Sequence, residues 1–69
     1  MNTFTPEMSN LLLARLELRR QQGRLAGIYT IGRYYSPDEI VDEARRGTPE
    51  GEEFLMAEKK LMDELKKRM

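Results

Sequence analysis

Three tripeptides of one kind divide this chain: Thr5-Pro6-Glu7, Ser36-Pro37-Asp38 and Thr48-Pro49-Glu50, which together hold all three prolines. Each has the grammar of a helix start. The hydroxyl side chain can accept from a free amide of the first turn. Proline suits the next position, where its missing N–H would be unpaired anyway. The acid that follows meets the positive end of the helix dipole. Glu39, three residues after Ser36, completes a capping box. Three prolines in one context predict three helices.

The first is expected from Pro6 to about Gln22, with Gly23 as its stop. Met8, Leu11, Leu12 and Leu16 fall on one arc at 100° per residue, Ala14 and Leu18 widen it, and Leu13 points the other way. The second runs from Pro37 to Arg46, with Ile40, Val41 and Ala44 inward and Gly47 as the stop. Thr48 then caps the third helix across a tight corner. That helix reaches nearly to Met69, with Phe54, Ala57, Leu61, Met62, Leu65 and Met69 as its apolar stripe, Leu55 at the edge and Met56 outside it. Lys59 and Asp63 are an opposite-charge pair at i, i+4. Gly51 is expected in a frayed first turn, where glycine costs little.

Between the first and second helices, residues 23–35 hold three of the five glycines and all three tyrosines. β-branched and aromatic residues favour extended structure. Gly32-Arg33 as a two-residue turn would pair Ile28–Ile31 with Tyr34–Tyr35. An extended loop that tucks Ile28, Ile31 and one or two of the tyrosines onto the core is the equal alternative. The fold expected is thus mostly α: three helices, two long and one short, with a short extended or β-hairpin segment between helices 1 and 2. Residues 1–69 form a single small helical domain.

Composition narrows the function. The chain has 69 residues and neither Cys nor His. Disulfides and thiolate zinc sites are therefore excluded, and the commonest general base is missing. The acids Asp38, Glu39, Asp42, Glu43, Glu50, Glu52 and Glu53 fit solvated helix faces. There is no calcium loop, phosphate loop or nucleophile elbow. So short a chain is expected to lack a concave pocket of the ~300 Å³ that ligand sites typically need. No catalytic, cofactor or metal site is expected. No apolar run nears the ~18 residues of a membrane span, and the first residues lack the pattern of a signal peptide. A cytoplasmic location and no membrane partner are the expectations.

Twelve basic residues balance twelve acidic ones, which argues against non-specific nucleic-acid binding by the chain as a whole. The distribution is uneven: residues 1–35 carry five arginines and two acids, net +3, and residues 36–69 are net −3. Arg15, Arg19, Arg20, Arg24 and Arg33, interleaved with tyrosines, suit a nucleic-acid surface. The acidic start of helix 3 is wrong for a recognition helix. The stronger reading comes from size. A 69-residue chain buries only about 60% of the surface that its unfolded form exposes. Without cross-links it needs very good helix packing or self-association. The five methionines and a surplus of leucine point to an interface. The expected function is a small non-enzymatic protein–protein interaction module that self-associates and presents a helical and Tyr/Arg-rich surface to a protein partner. Leu13, Met56, Tyr29, Arg33 and Tyr34 are the candidate interface residues. A small nucleic-acid-binding regulator using the arginines is the alternative.

Overall fold

The structure, a computed structural model, describes residues 4–30 and 32–67. The elements run in the order α1 (Pro6–Gln21), β1 (Ile28–Thr30), β2 (Arg33–Tyr35), α2 (Pro37–Arg46) and α3 (Pro49–Lys67). The expectations for Ile31 and Met69 lie outside the described residues.

All three helix starts follow the proline grammar. Thr5 Oγ1 accepts from the Met8 amide at 3.2 Å, and Thr48 Oγ1 accepts from the Gly51 amide at 3.1 Å. At α2 the capping box closes from both sides. The Glu39 amide donates to Ser36 Oγ at 3.2 Å, and the Ser36 amide donates to Glu39 Oε1 at 3.1 Å. The helix ends are equally regular. After α1 the Gly23 amide donates to Arg20 O and the Arg24 amide to Arg19 O, a Schellman pair that satisfies two terminal carbonyls. Gly47 stops α2 at φ 69°, a left-handed conformation that glycine adopts without a Cβ penalty. One further residue, Thr48, then leads into α3.

The segment between α1 and α2 is the hairpin, not the loop. Ile28 pairs with Tyr35, Tyr29 with Tyr34 and Thr30 with Arg33. The turn sits one residue earlier than expected, which moves every cross-strand pairing by two, so that Tyr34 faces Tyr29 and Tyr35 faces Ile28. Gly32, at φ 74°, directly precedes β2 and so is the last residue of the turn instead of its first. Arg33 therefore belongs to the strand. Ile28, Thr30, Arg33 and Tyr35 share one face of the ribbon, and Tyr29 and Tyr34 the other.

The core holds Leu12 and Leu16 from α1, Tyr35 from β2, Ile40, Val41 and Ala44 from α2, and Phe54, Leu55 and Met62 from α3. Tyr35 meets Phe54 edge to face, with ring centroids 5.2 Å apart. Ion pairs join α1 to α2 at both ends of their contact, Arg20 to Asp38 at 3.2 Å and Arg45 to Glu17 at 2.6 Å.

Three expectations about packing are corrected. On α3 the inward row is Gly51, Leu55, Glu58 and Met62, with Phe54 beside it, while Ala57, Leu61 and Leu65 are exposed. The inward face is turned about 60° from the most apolar one at 100° per residue. It turns because Gly51 is no frayed residue. It is buried, and a Cβ there would overlap the Glu43 carbonyl, so α2 and α3 touch backbone to backbone. That contact fixes which side of α3 faces inward. Leu13, expected to point away, is half-buried and packs against the core.

Candidate functional site

The α1–α3 contact is built around a carboxylate. Glu58 lies on the inward row of α3, and its side chain is only 1% exposed. A bare carboxylate there would be costly to desolvate. Two arginines one turn apart on α1 answer it: Arg15 Nε donates to Glu58 Oε2 at 3.1 Å, and Arg19 Nη1 donates to Oε1. Each carboxylate oxygen thus has its own charge-assisted donor. The guanidiniums sit at the edge of the interior, 32% and 30% exposed.

Leucines flank this ion pair. Leu11, Arg15 and Leu18 form an i, i+4, i+7 row on α1, and Glu58, Leu61 and Leu65 form the matching row on α3. All four leucines are exposed. The Arg15–Glu58 bond ties the rows together.

The apolar surface continues towards the hairpin through a groove of about 250 Å³. Its walls include Leu16, Leu25, Ile28, Phe54 and Leu61. Gly27 lies in its rim and has a specific job: a Cβ there would overlap the Tyr34 hydroxyl, so the Tyr34 ring lies against bare backbone. Tyr29 stands beside it, with ring centroids 5.0 Å apart. Tyr29 is 82% exposed, the most of any large apolar side chain among the described residues.

The five residues expected to form one interface fall in four places. Tyr29 and Tyr34 share one face of the hairpin, and Tyr34 reaches the groove at Gly27. Arg33 is on the opposite face, with its guanidinium 4.3 Å from the Tyr35 ring centroid and bonded to Glu39 at 2.8 Å. The Glu39 carboxyl is held below its ordinary range, first by the Ser36 backbone amide and then by Arg33, while Arg33 is raised by the same bond. Leu13 lines a separate cleft between α1 and the α2–α3 corner. Met56 is exposed on the far side of α3, beside Phe4 and Lys60.

The arginines of the nucleic-acid reading are mostly engaged within the molecule. Arg15 and Arg19 hold Glu58, Arg20 holds Asp38 and Arg33 holds Glu39. Arg24 is exposed. The sequence reading missed Glu58 and the exposed leucines of α3 for one reason, the misplaced stripe. The available signal was the Arg15/Arg19 spacing opposite a lone acid among apolar residues.

The expectation that the chain lacks a concave pocket is also overturned. The cleft at the α2–α3 corner measures about 560 Å³. Among the described residues no group of acids is placed to hold a metal ion. No described helix is long and apolar enough to cross a membrane. Set against protein-family models, characterised proteins and solved structures, the chain has no significant match.

Proposed function

We propose that this chain is a non-enzymatic protein–protein interaction module that acts by self-association. The docking face is formed by the exposed leucines of α1 and α3, the groove beside them and the Tyr29/Tyr34 pair. The carrying observation is that Leu11, Leu18, Leu61 and Leu65, all exposed, flank the Arg15/Arg19–Glu58 cluster, beside a groove that meets the Tyr34 ring at Gly27.

Surface area supports a second copy as the occupant. The chain presents 5141 Å² to solvent. A monomeric globular protein of its 8.1 kDa is expected to present about 4,500 Å². The excess is close to the ~800 Å² that each partner buries in a standard interface. At the centre of the face Arg15 and Arg19 both bond Glu58, which leaves that cluster one net positive charge within an otherwise leucine-lined surface. The same ion pairs weaken the nucleic-acid alternative, which needs those arginines free for phosphates.

Size-exclusion chromatography with light scattering tests the reading. The protein is expected to run as a dimer at tens of micromolar. Leu61→Glu, at the centre of the face, is expected to give a monomer, whereas Met56→Glu, on the far side of α3, leaves the dimer intact. A monomeric unmodified protein at every concentration overturns the proposal, as does equal dimerisation of Leu61→Glu.

A further inference from the structure

The cluster at the centre of the leucine-lined face sets two guanidiniums, Arg15 and Arg19, against the single carboxylate of Glu58. A charge without a partner is costly to cover with apolar surface. A partner that buries this face must therefore bring a carboxylate to the cluster. The inference rests on the self-association proposed above and names the group that the second copy contributes.

α1 carries two acids, Glu7 and Glu17, and Arg45 holds Glu17 at 2.6 Å. Glu7 is exposed, and no ion pair among the described residues involves it. Glu7, Leu11 and Arg15 stand four residues apart and form one ridge of α1. Leu11 is 48% exposed, and the Arg15 side chain, bonded to Glu58, still keeps 32% of its surface in solvent. The commonest class of helix packing lays two such ridges alongside each other, with the axes crossing at about 50°. Ridges that run in the same direction set Arg15 against Arg15 and leave both charges unanswered. Ridges that run in opposite directions do the reverse, because Glu7 and Arg15 are equidistant from Leu11. A two-fold axis beside Leu11 then sets Glu7 against the partner's Arg15 at both ends, with the two Leu11 side chains in contact between them. We propose that two copies pair α1 with α1 in this antiparallel way, and that Glu7 of each copy joins the other's Arg15–Glu58–Arg19 cluster and neutralises it.

The chain has no cysteine, so single introduced thiols report the geometry. Leu11→Cys puts two thiols beside the axis, and mild oxidation of the dimer is expected to link them. In Leu18→Cys the thiols lie seven residues to either side of the axis, about 20 Å apart and beyond the span of a disulfide, and are expected to stay unlinked. Glu7→Lys is expected to weaken the dimer about tenfold in a sedimentation series. Glu50→Lys alters the corresponding exposed acid at the start of α3 and is expected to leave the dimer unchanged. Linkage of Leu18→Cys as fast as that of Leu11→Cys overturns the pairing while self-association stands. So does a folded Glu7→Lys variant that dimerises as tightly as the parent. An unmodified protein that stays monomeric at every concentration removes both.

Discussion

Single side chains and single missing side chains fix this fold at its tightest points. Gly51 is the clearest. By helix propensity alone, Gly51→Ala stabilises by up to ~1 kcal/mol. The overlap of its Cβ with the Glu43 carbonyl reverses the sign, because forcing two packed backbones apart costs on the order of 1–3 kcal/mol. Urea unfolding is expected to show a net loss of about 1–2 kcal/mol, and a gain would contradict the backbone contact. Glu58 is the second such point. Removing one partner of a fully buried pair costs about 3–5 kcal/mol. Here the arginines are about one-third exposed and can turn to water, so Glu58→Gln is expected to cost about 2 kcal/mol. The further loss on adding Arg19→Met is expected to be smaller than for that change alone, and full additivity would show that the pair is not coupled. Glu39 carries a pH signature. Its carboxyl in the folded chain lies below its ordinary value, chiefly through the Ser36 amide and next through Arg33. Its contribution is therefore complete above the unfolded-chain value of about 4.3 and is lost as pH falls through the lower folded value. The Ser36 amide and Arg33 side-chain resonances are expected to titrate together in that acid window, and Glu39→Gln removes the transition.

At the scale of elements, sequence and structure agree wherever a local rule decides and part where contact between elements decides. The boundaries of α2 follow from Ser36-Pro37 and Gly47 alone, because caps and left-handed stops act within a few residues. The inward face of α3 was not legible in the same way. Most of its apolar stripe, Ala57, Leu61 and Leu65, is not what packs, since the approach of α2 to Gly51 turns the helix and brings Glu58 inward. No count of apolar residues reports a backbone contact between two helices. The hairpin was half legible. Gly32 marks the turn, but a glycine with positive φ fits either central position of a two-residue loop, and a shift of one residue moves Arg33 from turn to strand. The candidate face was legible in its tyrosines and illegible in its leucines, for the same reason that α3 was misjudged. Gly32→Ala, which puts a Cβ at φ 74°, is expected to cost about 1 kcal/mol. Loss of the cross-strand contact between the Tyr29 and Tyr34 rings, followed by NOE intensities, reports whether the loss is local to the hairpin.

For the whole molecule, the account is one of incomplete coverage. Three short layers close a core of nine buried apolar side chains, and that core is too small to shelter the rest of the apolar surface. Seven large hydrophobic residues remain exposed among the described residues. Leu11, Leu18, Tyr29, Tyr34, Leu61 and Leu65 belong to the α1–α3 face and its continuation onto the hairpin, and Met56 alone lies on the far side of α3. The radius of gyration, 11.7 Å, slightly exceeds the ~11 Å expected for a compact chain of this length. Both quantities are those of a chain slightly less compact than its length predicts, and the exposed leucines and tyrosines are where the proposed second copy would dock. The most direct measurement is a dilution series of ¹H–¹⁵N spectra from millimolar to low micromolar protein. Concentration-dependent shifts are expected at Leu11, Leu18, Leu25, Tyr29, Tyr34, Leu61 and Leu65, with Met56 and the α2 amides unmoved. Spectra that superimpose over the whole range, or shifts confined to other faces, would contradict it.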